Sequence, residues 1–505
     1  MTGMATANLY TQLSRHFASD PRRCYIETSD GLYYSADDIE RATARIANLL
    51  SSLQLPPQSR VAAQVEKSPE ALLLYLATIR AGMVFVPLNT AYRADEMAYF
   101  LQDASPAVVV CAPEQVGWIA KLAFAGQVQH VFTLDAARQG SLLTRAAGHA
   151  DQFETVAIHT DTLAALLYTS GTTGRSKGAM LTHANLASNA HVLNAYWDWQ
   201  RDDVLLHALP LFHIHGLFVA CHAALLGGSR LLFLPRFDSA EVIRLLPRAT
   251  VMMGVPTFYV RLLADPAFDH HATSSMRLFI SGSAPMLAET FNAFKARTRH
   301  TILERYGMSE TAMLTSNPYQ GERRAGSVGL PLPGVSVRVV DQHRVVCAAN
   351  DIGAIEVQGP NVFAGYWQMP EKTAQEFTDD GYFITGDLGM FEPDGYLRIV
   401  GRSKDLIISG GYNVYPKEVE SVIDAEHGVL ESAVIGVPHA DFGEAVVAVV
   451  VCAHGTVLDE RSLIASLKAR IAAFKVPKRV HFVEALPRNA MGKVQKDVLR
   501  AQYAD

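Results

Sequence analysis

A stretch dense in glycine, hydroxyl and lysine side chains, residues 168–178, carries the clearest chemical signal in the sequence. It reads Tyr-Thr-Ser-Gly-Thr-Thr-Gly-Arg-Ser-Lys-Gly and follows an apolar run, 163–167, that predicts a buried strand. Glycines let backbone N–H groups turn toward an anion, and the hydroxyls and Lys177 add donors and charge. The stretch predicts a loop that binds a polyphosphate, the alternative being a polar surface loop. The common P-loop motif has a different spacing.

Two acidic residues farther along the chain are suited to a nucleotide. Glu310 lies among hydroxyl residues in segment 304–311, which ends a predicted strand. Mg²⁺ takes one or two carboxylates together with phosphate oxygens, so Glu310 could hold it. Tyr306 in the same segment offers a flat face for a base. Asp387 follows another predicted strand, where its carboxylate could accept hydrogen bonds from a ribose; a plain exposed acid is the alternative.

Two further segments set basic residues on turns. Residues 401–405 form a charged turn that leads to a Gly-rich segment at 409–413, and residues 487–493 place Lys493 on a turn near the C-terminus. Taken singly, solvated lysines and turn glycines would explain both segments.

The composition indicates an enzyme that acts on small molecules. Charged residues make up 19% of the chain, and the formal net charge of -6 predicts no binding to nucleic acid or anionic membrane. Any anion site must therefore be built locally. No apolar run approaches the roughly 18 residues of a membrane span, and the N-terminus lacks the apolar core of a secretory signal. The five cysteines show no Cys-x-x-Cys spacing, which favours a reducing compartment, the cytoplasm.

Alternating patterns of strand and helix must position these residues. Strand 60–66, helix 69–82 and strand 84–88 are typical of the region before the Gly-rich stretch, and a second alternating run follows it. Such alternation predicts parallel sheets with helices on both faces. Residues 127–160 are weakly patterned and predict a connection on the surface.

The pattern changes twice in the last third of the chain. Short strands and turns at about 325–400 predict a small β-rich subdomain, and an α+β pattern begins after Arg402. We therefore expect an α/β fold with α+β parts in two domains. Residues 1–402 would form a large N-terminal domain of mixed and parallel sheets flanked by helices, and 403–505 a small mobile C-terminal domain.

In this order and spacing the five segments resemble the adenylate-forming superfamily of acyl-CoA synthetases, luciferases and peptide-synthetase adenylation domains. The resemblance covers nearly the whole chain. It implies that the N-terminal domain binds ATP and an acid, and that the C-terminal domain rotates between two half-reactions. It also implies Mg²⁺ as cofactor and coenzyme A as co-substrate, and no carrier domain is seen after residue 505.

The resemblance assigns catalytic roles by position. Lys493 matches the catalytic lysine of adenylation, and Glu310 and Lys177 would be further catalytic residues. Glu310 and Thr169 would hold Mg²⁺. The residues implied for ATP and coenzyme A are Thr169, Ser170, Gly171, Thr172, Thr173, Gly174, Lys177, Gly282, Ser283, Ala284, Glu304, Arg305, Tyr306, Gly307, Met308, Ser309, Asp387, Arg402, Lys404, Gly410, Gly411 and Tyr412.

Within this set the resemblance implies finer roles. Asp387 and Arg402 would bind the ribose, Lys404 would lie at the hinge, and Gly410 and Gly411 would line the thiol tunnel. Lys493 would also be a target for regulation by a protein acetyltransferase.

The two half-reactions need different surfaces. Attack of a carboxylate on the α-phosphate joins two anions, so Lys493 and Mg²⁺ would stabilise the transferring group. A thiol then displaces AMP from the acyl-adenylate. Lys493 would occupy the face where the thiol must enter, and a rotating domain resolves that conflict.

The acid is the least determined substrate. Arg261 lies three residues after Phe258 in a predicted helix, and an arginine buried there would need an anion such as a second carboxylate; a surface arginine is the alternative. Segments 210–216, 255–261 and 279–285 are similar to malonyl-CoA synthetases. That likeness implies a malonate–CoA ligase that also takes methylmalonate, with the acid held by His213, Arg261, Ser283 and Met308.

Other functions stay open at this point. A ligase of the same mechanism could use oxalate or a monocarboxylate. A binding or regulatory protein without turnover is disfavoured, because the residues matched to catalysis are intact. A luciferase-like oxygenase and a loader of carrier proteins are minor alternatives.

Overall fold

The computed structural model describes residues 7–169, 176–409, 412–439, 442–489 and 492–504. A π-helix at His215–Cys221 precedes the eighth α-helix. The α-helices, in chain order, are Leu9–Leu13 (α1), Ala36–Ser52 (α2), Pro69–Arg80 (α3), Ala94–Ala104 (α4), Val116–Ala125 (α5), Ser141–Ala146 (α6), His183–Tyr196 (α7), His222–Gly227 (α8), Ser239–Leu245 (α9), Pro256–Leu263 (α10), Ala288–Thr298 (α11), Pro370–Gln375 (α12), Pro416–Ile423 (α13), Glu460–Arg470 (α14) and Lys496–Tyr503 (α15).

The strands are listed here in the same order. They are Cys24–Thr28 (β1), Tyr33–Ser35 (β2), Arg60–Gln64 (β3), Val84–Pro87 (β4), Val108–Cys111 (β5), His130–Thr133 (β6), Leu163–Thr169 (β7), Lys177–Thr182 (β8), Val204–His207 (β9), Arg230–Phe233 (β10), Val251–Gly254 (β11), Leu278–Ser281 (β12), Leu303–Met308 (β13), Ala312–Ser316 (β14), Leu330–Pro331 (β15), Ser336–Val340 (β16), Gly353–Gln358 (β17), Phe383–Phe391 (β18), Leu397–Arg402 (β19), Ile407–Ser409 (β20), Tyr412–Val414 (β21), Val429–His439 (β22), Gly443–Cys452 (β23) and Arg479–Val483 (β24).

Two mainly parallel sheets form the larger part of the fold. One has the strand order β6-β5-β3-β4-β7-β8 and the other β15-β14-β13-β12-β11-β9-β10-β1-β2. The central strands β4, β5, β9 and β11 are buried along their whole length. Helices cover both faces of such sheets, so their strands are continuously apolar. The prediction of parallel sheets from the alternating pattern is confirmed.

Alternate residues of these strands pack into different cores. Val61 and Phe85 belong to a core shared with Leu205 of the other sheet, whereas Ala62 and Val84 face an outer core. The period of two along a strand produces this division. One helical layer therefore lies between the sheets.

The remaining sheets are smaller. Strands β16–β19 form an antiparallel sheet, as the β-rich pattern predicts. Strands β20–β24 form a separate sheet with one core against α13 and α14 and another against α15. Strand β19 ends at Arg402 and a single 3-10 turn, Ser403–Asp405, leads to β20. The domain boundary at residue 402 remains a prediction.

Residues 127–160 correct the sequence analysis. They contain β6, which pairs with β5 in parallel, and α6, whose Leu142 and Ala146 are buried. The prediction of a surface connection is wrong for these parts. A strand of four residues and a helix of six are too short to give a clear hydrophobic period. In the ranges the structure describes, no helix has the length and apolar character needed to cross a membrane.

Candidate active site

The Gly-rich stretch joins two antiparallel strands, β7 and β8. Thr169, the last residue of β7, lies opposite Lys177, the first residue of β8. The expected phosphate-binding residues Ser170, Gly171, Thr172, Thr173 and Gly174 lie outside the described residues. Tyr99 of α4 donates a hydrogen bond to the Ser176 carbonyl at 2.6 Å, and the Tyr168 hydroxyl donates to Asp103 at 2.5 Å. These bonds anchor both ends of the stretch.

Glu310 is a buried carboxylate beside the start of that stretch. The Thr169 hydroxyl donates to Glu310 Oε1 at 3.3 Å, and the Tyr366 hydroxyl donates to the same oxygen at 3.1 Å. Burial raises the pKa of Glu310, and the Tyr366 and Thr169 hydrogen bonds oppose that rise. A cation there would favour the charged carboxylate.

These residues fit Mg²⁺ bound together with a phosphate. Within the described ranges no cluster of three or more His, Cys, Asp or Glu side chains could hold a metal alone. Mg²⁺ commonly uses one or two carboxylates plus phosphate oxygens, which matches a single carboxylate next to a hydroxyl. Glu310 and Thr169 are placed as that arrangement requires.

Lys177 is buried against an aromatic ring. Its Nζ lies 4.2 Å from the centre of the Tyr366 ring and 3.5 Å from Glu376 Oε1. Lys372 pairs with the same carboxylate oxygen at 2.8 Å. Glu376 is therefore shared between two lysines.

A second group of residues suits a nucleoside. The Tyr306 hydroxyl donates to Asp387 Oδ2 at 2.5 Å, and Arg402 Nε lies 2.9 Å from Asp387 Oδ1. Asp387 and Arg402 are opposite each other in the β18–β19 pair. The structure thus brings together three residues that sequence reasoning placed around the adenosine.

Glu304, also expected at the nucleotide, is buried in the same strand as Tyr306. Burial raises its pKa to about 8, and hydrogen bonds from the Gly326 and Met286 backbones and the charge of Lys417 oppose the rise. Lys417 lies on α13, so the C-terminal sheet's helices reach this part of the site.

Lys493 lies on a turn that faces the nucleotide group. Crowding by the surrounding protein lowers its pKa to about 8, the Arg402 charge adds to this, and Asp387 and Asp405 oppose it. A Cβ placed on Gly492 would lie 3.2 Å from Thr257 Oγ1 in the first turn of α10. The turn therefore touches the N-terminal part of the chain.

The hinge and tunnel residues are only partly described. Lys404 is exposed in the turn after β19. Gly410 and Gly411 lie outside the described residues. The Tyr412 ring, which follows them, stacks on Phe474 at a centroid distance of 4.7 Å.

A buried arginine, Arg305, precedes Tyr306 in β13. Arg305 is 4% exposed, and its Nε and Nη2 have no hydrogen-bond partner among the described residues. Burial lowers its pKa to about 9. A Cβ placed on Gly282 would lie 2.5 Å from the Arg305 Cζ, so only glycine admits the guanidinium there.

The charge of that guanidinium acts on His215, which contacts Ser283. The Ser283 hydroxyl lies 3.2 Å from His215 Nδ1, and Ser283 has a backbone φ of 71°. A non-glycine residue at positive φ is strained, and such strain concentrates at functional sites. Burial lowers the pKa of His215 well below its usual value, and the positive charge of Arg305 lowers it further. His215 is therefore neutral. Four more residues expected at the nucleotide or the acid follow closely in sequence: Ala284, Gly307, Met308 and Ser309. The side chains of Ala284, Met308 and Ser309 are partly buried.

One of the residues proposed for the acid, Arg261, lies differently from expectation, and the role of His213 remains a prediction. Arg261 is exposed on α10, so the expectation that it is buried beside the acid is wrong. Side chains three positions apart share a helical face. On this face of α10, Phe258 is partly buried, whereas Arg261 is exposed to solvent. His213 is partly buried, its Nε2 has no partner among the described residues, and burial lowers its pKa to about 4.

Comparison with known proteins gives these residues a family. Residues 13–367 match the model described as AMP-binding enzyme, and residues 418–493 match the AMP-binding enzyme C-terminal domain. The chain belongs to the AMP-binding enzyme family.

Several members of the AMP-binding enzyme family are similar over most of the chain. ATP-bound MatB from Rhodopseudomonas palustris is 54% identical over 99% of both chains, with a TM-score of 0.97, and apo MatB has a TM-score of 0.86. Malonate–CoA ligase ACSF3, mitochondrial, of Bos taurus is 36% identical over 84% of this chain and 78% of its own. A feruloyl-CoA synthase of an Amycolatopsis species is 36% identical over 92% and 93%.

Sequence reasoning missed three residues of this AMP-binding enzyme's site. Tyr366 contacts Lys177 and Glu310, and Glu376 pairs with Lys177. His215 contacts Ser283. The string Phe-His-Ile-His-Gly at 212–216 was a signal for His215. The sequence holds no comparable signal for Tyr366.

Proposed function

We propose that this protein is an ATP-dependent malonate–CoA ligase, with methylmalonate as a further substrate. It would convert malonate, ATP and coenzyme A to malonyl-CoA, AMP and diphosphate through a malonyl-adenylate. The enzyme is an AMP-forming acyl-CoA ligase. The similarity to a malonate–CoA ligase supports the choice of acid. One feature of the structure is the main argument for a dicarboxylate.

That feature is the unpaired guanidinium of Arg305. A charge buried without a partner is costly, whereas a carboxylate would make a planar, two-pronged pair with it. An acid with one carboxylate must present that group to the α-phosphate and leaves the guanidinium unpaired. A dicarboxylate can satisfy both. Ser283 and the neutral His215 would then position the acid beside this charge.

We accordingly assign the distal carboxylate to Arg305 rather than to Arg261. Arg305 lies in β13 with Tyr306 and Met308, the residues assigned to the nucleotide and to the acid. Arg261 is exposed, so water solvates its charge and it needs no bound anion.

The first half-reaction follows from the placement of charges. The proximal carboxylate attacks the α-phosphorus, the bond to the β-phosphate breaks, and diphosphate leaves. Lys493 would stabilise charge on the transferring phosphoryl group and Lys177 the diphosphate. Glu310 and Thr169 would hold Mg²⁺, whose chemistry is to neutralise phosphate charge. Asp387 and Arg402 would fix the ribose.

The second half-reaction needs a different surface. The coenzyme A thiol attacks the acyl carbon and AMP leaves, but the turn with Lys493 covers the site. We propose a domain boundary after Arg402, rotation of residues 403–505 about Lys404, and entry of the thiol past Gly410 and Gly411. Acetylation of Lys493 by a protein acetyltransferase would remove the charge that adenylation needs. A cytoplasmic location is proposed from the five free cysteines.

Production of AMP across mono- and dicarboxylates of two to six carbons, with ATP, Mg²⁺ and coenzyme A, tests the proposal. We expect the highest kcat/KM with malonate. A preference for oxalate or for a monocarboxylate would instead support a ligase for another short acid.

Two arginine variants sharpen that test. Arg305→Ala should reduce the ratio of malonate to propionate kcat/KM by roughly two to three orders of magnitude, since breaking a buried charged pair costs about 3–5 kcal/mol. The ratio cancels general damage to folding or to ATP binding. Arg261→Ala, the matched control from the exposed face of α10, should leave the ratio unchanged. The reverse result would return the distal carboxylate to Arg261.

A further inference from the structure

Residues 363–367, the bridging segment, connect the two sides of the phosphate region through backbone hydrogen bonds. Phe363 N donates to the Glu310 carbonyl at 2.8 Å. Ala364 N and Met180 N bond to the carbonyls of Met180 and Gly365, both at 2.9 Å, so the segment pairs with β8. Trp367 N donates to the Gly178 carbonyl at 2.8 Å. The segment is therefore fixed on one side to Glu310 and on the other to the strand that begins at Lys177.

The side chain of Tyr366 also connects Glu310 with Lys177. Tyr366 is buried, at 4% exposure. Its hydroxyl donates to Glu310 Oε1 at 3.1 Å, while the Lys177 ammonium lies over its ring at 4.2 Å. One ring thus contacts the carboxylate suited to Mg²⁺ and the lysine suited to the diphosphate.

Each contact has a separate physical effect. The hydrogen bond from the phenol holds Glu310 Oε1 in one orientation. A ring face stabilises a desolvated ammonium without using its N–H donors. Among the described residues, the one other charged partner of the Lys177 ammonium is Glu376, at 3.5 Å. The donors of Lys177 therefore stay available to an incoming phosphate.

We propose that Tyr366 is a positioning residue for adenylation, which holds Glu310 and Lys177 at the separation that an Mg²⁺-bound phosphate chain requires. The hydroxyl orients the carboxylate, and the ring holds the ammonium. This inference rests on the proposed function only in needing an ATP site; it does not depend on which acid is used.

Two variants separate the hydroxyl from the ring. Tyr366→Phe keeps the ring and removes the bond to Glu310, so the Mg²⁺ concentration for half-maximal adenylation should rise roughly tenfold, as expected for a lost hydrogen bond to a charged group. Tyr366→Leu removes both contacts and should also weaken binding of nucleotide measured without Mg²⁺.

Binding of a non-hydrolysable ATP analogue, titrated with and without Mg²⁺, is the decisive measurement because it needs no acid substrate. Tyr396→Phe is the matched control: that tyrosine is also buried and its hydroxyl donates to the Glu322 carbonyl at 2.7 Å, away from the phosphate region. It should bind as the unmodified enzyme does. If the unmodified enzyme binds the analogue with Mg²⁺ but does not turn over malonate, that result counts against the proposed acid and not against the role of Tyr366.

The inference is overturned if Tyr366→Phe binds the analogue with the unaltered Mg²⁺ dependence. It is also overturned if that variant loses thermal stability and slows both half-reactions equally, since a purely structural role gives that result. If Tyr366→Leu does not fold, Tyr366→Phe alone decides.

Discussion

In the proposed mechanism, Lys493 carries a charge that only adenylation needs. Lys493→Ala should lower the rate of adenylation by about a hundredfold or more, the typical effect of removing one group that stabilises the transition state. Thiolation of supplied malonyl-AMP should stay mostly intact. ATP–diphosphate exchange and release of coenzyme A ester from malonyl-AMP measure the two steps separately. An equal loss in both would contradict the role given to Lys493.

The pKa of Lys493 predicts how adenylation depends on pH. Because that pKa is lowered to about 8, the ammonium loses its proton as pH rises through about 8, and adenylation at low ATP should fall there. Bound ATP, an anion, should raise the pKa and move the decline to higher pH at saturating ATP. Profiles of exchange rate against pH at both ATP concentrations test this. Thiolation of supplied malonyl-AMP serves as the control and should lack the decline.

The hairpin of β13 and β14 is the element that carries most of the site. A Cβ placed on Gly307 would lie 1.9 Å from the Ala312 carbonyl oxygen, so Gly307→Ala must force the two strands apart. We expect a loss of about 1–3 kcal/mol in the free energy of unfolding, the usual cost of overpacking, with a larger loss of activity.

Denaturant unfolding measures the stability of Gly307→Ala. Gly117→Ala is the control, since a Cβ on Gly117 in α5 meets nothing within 4 Å and alanine favours helix. Its stability should be equal or slightly higher. Equal stability of the two variants would show that the β13–β14 hairpin opens without cost.

Elements were predictable where local sequence determines them. Helix α3 begins at Pro69 after a Ser68 cap and α7 begins after Thr182, and both beginnings follow from capping chemistry. Residue 366 could not be predicted to contact Lys177, because that contact depends on pairing between segments nearly two hundred residues apart. Arg261 and Arg305 looked alike in sequence, and only the packing of α10 and β13 distinguishes the exposed one from the buried one.

At the scale of the whole molecule, the chain is arranged with the turn of Lys493 against the N-terminal part. This agrees with the higher TM-score to ATP-bound MatB, 0.97, than to apo MatB, 0.86. A Cβ placed on Gly492 would lie 3.9 Å from the Thr257 Cβ, within the separation of about 3.5–4.5 Å found in disulfides. The two positions can therefore be joined to hold this arrangement.

The double variant Gly492→Cys with Thr257→Cys should form adenylate but stall before thiolation when oxidised. Malonyl-AMP should accumulate, and dithiothreitol should restore formation of malonyl-CoA. Cysteine at a positive φ of 74° costs some stability, so each single variant is measured under the same oxidation. Normal turnover of the fully crosslinked enzyme would mean that residues 403–505 need not rotate.

The contact between residues 492 and 257 also affects when a bound acid can leave the site. Tyr259, in the same helix as Thr257, lies near the buried Arg305. If the acid binds at Arg305 as proposed, we expect the turn to close over it and to block its exit until the turn withdraws. In a pulse of labelled malonate followed by an unlabelled excess, the label bound at closure should emerge as product and should not exchange into the medium.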